Sequence, residues 1–142
     1  MIIKEIPFDS VQYEAMRRFR EETLRMPLGL RLSEEDVQDE DQQIHIAALD
    51  EDGSIVGTVL LKPLSQSRVK LRQMAVSPSL RRSGIGTELV QFAEKALSAR
   101  GFHATELHAR TYAQGFYEKL GYRTEGAVFI EVTLPTIRML KP

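Results

Sequence analysis

Met74-Ala75-Val76-Ser77-Pro78-Ser79-Leu80-Arg81-Arg82-Ser83-Gly84-Ile85-Gly86-Thr87 reads as the end of a strand, a turn, and a glycine-rich opening of a helix. Met74 to Val76 are apolar, and Ser77-Pro78-Ser79 punctuates the chain. Arg81 and Arg82 bring two positive charges, and Gly84 and Gly86 let a ligand approach the backbone closely. The helix that follows shows in Ile85, Leu89, Ala93, Ala96, Leu97 and Arg100, which recur at three- and four-residue spacing. Gly101 stands where its C-terminal cap belongs. The first N–H groups of such a helix have no internal partner and carry partial positive charge. An anion there is stabilised by roughly 0.3–1 kcal/mol from the dipole alone. The expected ligand is a phosphate or pyrophosphate.

Two rival phosphate-binding patterns do not fit. A dinucleotide fingerprint needs a third glycine where Leu89 stands, and a P-loop needs a lysine between its last glycine and a hydroxyl residue, but Gly86 runs directly into Thr87. Arg81-x-x-Gly84-x-Gly86 after an apolar strand instead resembles the acetyl-CoA signature of the GNAT superfamily of N-acetyltransferases. Ala113-Gln114-Gly115-Phe116-Tyr117-Glu118-Lys119-Leu120-Gly121-Tyr122 is similar to that superfamily's Ala-x-x-Phe-Tyr-x-x-x-Gly-Phe segment. The resemblance covers most of the chain and is least diagnostic over residues 10 to 40. It implies acetyl-CoA as cosubstrate, held by Met74 to Val76 and by Arg81 to Thr87. It implies transfer of the acetyl group to an amine, and Tyr117 near the thioester sulfur as general acid. It also implies an α/β (α+β) fold with a mixed, mostly antiparallel seven-stranded sheet flanked by about four helices. Strands four and five of that sheet are parallel and splay apart, leaving backbone groups of Met74 and Val76 free to pair with the pantetheine amides.

Composition bounds the rest. The chain has 142 residues and no cysteine, enough for one domain, residues 1–142, with a real core. No thiolate metal site, disulfide or cysteine nucleophile can form, so direct attack by the acceptor on the thioester is the simplest route, and no metal is expected. The formal net charge of −1 gives no reason to expect nucleic acid, and no polybasic run addresses an anionic membrane. The N-terminus lacks a signal-peptide layout, so a cytoplasmic location is the default.

Along the chain, Ile2 to Ile6 reads as a strand, and a helix capped at Asp9 or Ser10 runs to about Arg25 with Val11, Ala15, Met16 and Phe19 on its inner face. Ser33-Glu34-Glu35-Asp36 opens a second short helix, and the acidic run Glu34 to Asp41 reads as a solvated face. Ile44 to Leu49 and Ile55 to Leu61 are strands joined by an Asp50-Glu51-Asp52-Gly53 turn, and Gly57 marks a bulge or a close approach. Arg68 to Val76 alternates, with Val69, Leu71, Gln73 and Ala75 facing one way. Phe102 to His108 is a strand parallel to it across the glycine-capped helix. A helix from Thr111 to Leu120 follows, then a hairpin of Val128–Val132 and Ile137–Leu140 around Thr133-Leu134-Pro135. The hairpin could supply a dimer edge; monomer and homodimer both stay open.

An amine near pKa 10.4 is neutral in roughly one molecule in 2,500 at pH 7, so supplying the free base is worth at most about 4.6 kcal/mol. His108, at the end of the fifth strand, is a candidate base. Glu131 could bind or deprotonate the amine. Each also has a plain alternative, a satisfied strand-end histidine and a solvated carboxylate. His45 is expected to face polar surroundings, and His103 to lie at the surface. Arg110 stands where many relatives carry a cofactor-contacting asparagine and could reach a CoA phosphate. Thr136 replaces a histidine that follows the proline in a bacterial subset of the superfamily. The acceptor is a small-molecule or peptide amine. The alternative to an enzyme is a catalytically idle acetyl-CoA-binding sensor or partner module.

Overall fold

The computed structural model describes residues 1–142. Strands β1 (Ile2–Ile6), β2 (Ile44–Leu49), β3 (Ile55–Pro63), β4 (Arg68–Val76), β5 (Ala104–Arg110), β6 (Arg123–Glu131) and β7 (Leu134–Lys141) form a seven-stranded sheet in the order β1-β2-β3-β4-β5-β7-β6. Neighbours are antiparallel except β4 and β5, which are parallel, as a helical crossover requires. Helices α1 (Val11–Arg20), α2 (Ile85–Ala99) and α3 (Gln114–Lys119) complete the α/β frame.

Helix α2 covers one face of the sheet. Its Ile85, Leu89, Val90, Ala93 and Leu97 are buried against Ile46, Val59, Leu61, Val69 and Leu71, the expected apolar stripe with Val90 added. Gly101 closes it in the left-handed region (φ +86°), with Phe102 N donating to Leu97 O at 3.0 Å. Gly57 lets α2 and β3 meet: a Cβ there would lie 2.8 Å from Leu89 Cδ1 and 3.3 Å from Ala75 O. Gly57→Ala is expected to destabilise the protein by about 1–3 kcal/mol through overpacking. A urea midpoint equal to wild type would disprove that.

The other face is covered by α1 and departs from the sequence reading. Tyr13, Met16 and Arg20 are its buried residues, whereas Val11 is 87% exposed. The helix continues as a π-helical turn (Glu21–Arg25) and a 3-10 turn (Met26–Leu28). Tyr13 and Met16 pack on Ile6, Ala47, Leu49 and Leu60, and a buried guanidinium extends that face. Arg20 is fully buried and grips Glu40 with both terminal nitrogens. Glu40 is therefore interior, not part of a solvated acidic face.

The second helix does not form, so three α-helices stand where about four were expected. Ser33 and Asp36 do make the reciprocal cap, Asp36 N to Ser33 Oγ and Ser33 N to Asp36 Oδ2, both 3.0 Å. The Asp36 carbonyl that would accept from Glu40 N is instead taken by Arg72 Nη2. Asp39 then turns left-handed (φ +59°), which swings Glu40 inward. His45 is also buried rather than polar-facing. Strand β2 is covered on both sides, so alternation does not separate wet from dry there.

Candidate active site

Strands β4 and β5 pair only over Arg68–Leu71 and Ala104–Leu107. Beyond that they part, and one edge of β4 is left without a strand partner up to Val76. A bulge re-aims that segment. Leu60 pairs Arg72 and Thr58 pairs Ala75, so β4 fits an extra residue against β3 where Gln73 turns left-handed (φ +54°). Strict alternation fails here. Ala75 shares the face of Arg72, opposite the face of Leu71, and Met74 and Val76 join the core cluster under α2. Thr58 Oγ1 donates to Gln73 O (2.9 Å), and the Gln73 side chain accepts from Arg20 Nε (3.0 Å).

The glycine-rich loop follows. Arg82 (φ +68°) and Gly84 (φ +91°) are both left-handed. The first bond of α2 runs from Glu88 N to Gly84 O (3.1 Å), so the N–H groups of Ile85, Gly86 and Thr87 lie ahead of the helical ladder. Arg81 and Arg82 are exposed, and neither makes an ion pair. Ser83 Oγ closes the loop on Leu80 O. Gly86 has a packing role the sequence did not suggest. A Cβ there would meet Phe116 Cζ at 3.2 Å and Met74 Cε at 3.4 Å, so this glycine lets α3 and β4 close on the loop.

A cleft of about 1970 Å3 runs from this loop past the parted strands to the π-helical turn. Two residues singled out separately in the sequence are joined on its wall. His108 Nδ1 lies 3.0 Å and 3.3 Å from the two Glu131 oxygens. The carboxylate accepts the Nδ1–H, which leaves the Nε2 lone pair without a protein partner. Phe129 stands edge-on to the imidazole at 5.3 Å. The His108 hydrogen bond holds the Glu131 carboxyl below the usual carboxylate range, outweighing partial burial.

Glu131 is held in turn. Arg110 Nη1 donates to Glu131 O (2.6 Å) and to Thr136 Oγ1 (2.8 Å), so Arg110 is turned toward the closing hairpin. That hairpin is longer than expected, β6 and β7 meeting at a two-residue turn, Val132 (φ +47°) and Thr133 (φ +65°). Two β-branched residues in the left-handed region cost of order 1–3 kcal/mol each. The Arg110 contacts brace this turn.

Tyr117 is buried but for an edge on the same cleft, packed edge-on against Phe116 (4.9 Å) and Tyr122 (5.9 Å). No protein group hydrogen-bonds its hydroxyl. Burial, reinforced by Tyr112, raises its pKa above the ordinary phenol value, so the hydroxyl stays protonated.

The family model for the acetyltransferase (GNAT) family matches residues 8–122. The chain belongs to the GNAT acetyltransferase family. A candidate acetyltransferase of Bacillus subtilis is 36% identical over 86 residues, 61% of this chain and 58% of that protein. The chain thus spans less than two thirds of that relative's length. The crystal structure of a candidate N-acetyltransferase from Lactobacillus plantarum superposes with a TM-score of 0.88 at 26% identity, covering 99% and 98% of the two chains. An aminoglycoside 6'-N-acetyltransferase complexed with coenzyme A shares the fold, with a TM-score of 0.78 at 23% identity over 99% and 96%.

In this GNAT chain, the sequence puts His108 at the end of the fifth strand and Glu131 in the closing hairpin, and does not pair them. Their contact depends on the two-residue turn, and non-glycine left-handed residues leave no turn signature. Gln73, which sets the β4 bulge, stands out only weakly in the sequence. A glutamine between Arg72 and Met74 is the one signal that could have marked it.

Proposed function

We propose that the protein transfers the acetyl group of acetyl-CoA to a primary amine by direct attack. The observation that carries this is the His108–Glu131 dyad opening on the same cleft as the free Tyr117 hydroxyl. The residues present fit acetyl-CoA. The leading N–H groups of α2, with Arg81 and Arg82, suit its pyrophosphate, and the unpaired edge of β4 at Met74 to Val76 suits the amides of its pantetheine arm. When bound, it supplies an activated acyl carbon and a thiol leaving group.

His108 Nε2 takes the proton of the incoming ammonium, and Glu131 stabilises the imidazolium that results. The amine nitrogen forms its bond to the acyl carbon as the C–S bond breaks, and the electron pair leaves on sulfur. Tyr117 donates a hydrogen bond to that sulfur. Even an ordinary tyrosine protonates a thiolate of pKa about 8.5 uphill by about 2 kcal/mol, and burial of Tyr117 makes full transfer harder. Its contribution is therefore hydrogen bonding in the transition state, with the proton passing late.

Tyr117→Phe is expected to lower kcat about 10²-fold with little change in CoA affinity. The test is thiol release from acetyl-CoA across an amine panel, wild type beside this variant. Acceptor-dependent release that collapses in the variant supports the reading. Tight CoA binding with no release on any amine would favour an idle sensor module. Unchanged turnover in the variant would remove Tyr117 from the mechanism.

A further inference from the structure

On the wall of the cleft, Lys62 on β3 and Lys70 on β4 are register partners, so their side chains leave the sheet on the same face, directly opposite each other. Like charges so placed repel, and neither ammonium has an ion-pair partner. The surrounding carboxylates are already taken. Glu40 accepts from Arg20, Arg72 and Tyr13. Glu106, beside Lys70 on β5, accepts from Arg68 (3.3 Å) and Arg138 (2.9 Å and 3.3 Å). Glu131 accepts from His108; it and Glu106 act on Lys70 only through space, while Arg72 and Lys62 oppose its charge. The cleft's unpaired acids, Glu22 and Glu35, are exposed.

Lys70 stands one residue before the point where β4 and β5 part, on the wall that also carries His108. We propose, resting on the acetyltransferase reading above, that Lys62 and Lys70 form an anion subsite, and that the acceptor is an amine also bearing a carboxylate or phosphate. An arriving anion relieves the repulsion between the two lysines. It also offsets the partial burial that pushes the Lys70 ammonium toward its neutral form. A polycationic acceptor would instead add like charge beside the two lysines.

The test compares matched acceptors on the CoA-cycling protein: leucine with leucinamide, and O-phosphoethanolamine with ethanolamine. The expected kcat/KM is at least about tenfold higher for the anionic member of one pair, about 1.4 kcal/mol, and which pair shows it separates carboxylate from phosphate. In the Lys62→Gln/Lys70→Gln variant that ratio falls to about one. Calorimetric binding of all four amines to the CoA-loaded protein reads the subsite without turnover. Equal kcat/KM within both pairs, or an unchanged ratio in the double variant, overturns the subsite while leaving acetyl transfer intact. Thiol release absent with all four amines, beside tenfold tighter anion binding that the double variant loses, keeps the subsite and overturns the acetyltransferase reading.

Discussion

His108→Ala is expected to lower kcat with an amine acceptor by about 10²–10³-fold and to leave CoA affinity nearly unchanged. The ceiling follows from the acceptor. A lysine-like ammonium must lose a proton, and the free base is worth at most about 4.6 kcal/mol at pH 7. A positioned imidazole recovers part of that. Glu131→Gln tests the charge of the carboxylate. The glutamine Oε1 can still accept the Nδ1–H and hold the tautomer, but the neutral amide no longer stabilises the imidazolium that forms when Nε2 takes a proton. Its loss should be smaller than that of His108→Ala, whereas Glu131→Ala, which also frees the ring, should cost more than Glu131→Gln. Because the wild-type Glu131 carboxyl sits below the usual carboxylate range, its protonation should not limit the rate at neutral or mildly acid pH. The check is steady-state kinetics from pH 5 to 9. If His108→Ala keeps more than about half of wild-type turnover, water, not His108, is the base.

The elements around the glycine-rich loop were legible because their signals are local. The α2 stripe, the Gly101 cap, the Asp50–Gly53 turn and the Phe116-Tyr117 segment each lie within a few residues, and the fold places all of them as read. What was not legible depends on contacts between distant residues. The β4 bulge is set by Gln73, whose side chain answers Arg20, and nothing in the alternation of Arg68 to Val76 announces it. The failed second helix has a sound capping box, but a guanidinium on another strand takes its carbonyl. His108 and Glu131 meet only through the register of β5, β7 and β6. Buried charge was the largest omission. A glutamate in an acidic run reads as solvated, and Arg20, Arg72 and Tyr13 explain why Glu40 is not.

Glu40→Gln is expected to cost about 3–5 kcal/mol of stability, because it leaves buried Arg20 without its countercharge. That is a large share of the roughly 5–15 kcal/mol that holds a domain of this kind. The carboxylate accepts from Tyr13 Oη (2.6 Å), Arg20 (2.9 Å and 2.5 Å) and Arg72 (3.0 Å). Burial pushes its pKa up, but these donors outweigh it and the net shift is downward. His45 is linked to the same point. Its Nε2 donates to Glu40 O (2.7 Å), and its Nδ1 is buried with no partner. Burial lowers the His45 pKa, and Arg20 and Arg72 oppose a further positive charge. Both folded-state values lie below the ordinary ones, so between folded and unfolded values the unfolded chain binds more protons. Stability therefore falls as pH falls, first below about 6.5 through His45, then below about 4.5 through Glu40. His45→Gln should flatten the upper part of that profile alone. Urea unfolding at pH 7.5, 5.5 and 4 measures both effects. The network also reaches the site, because Arg20 holds Gln73 and with it the bulge that aims Met74 and Val76. Glu40→Gln should therefore weaken CoA binding under conditions where the variant is still folded. A double-mutant cycle decides whether Arg20 and Glu40 act as a unit: Arg20→Met with Glu40→Met should cost well below the sum of the single losses. Additive losses would mean that each residue is held by its other neighbours, and that the buried pair does not position β4.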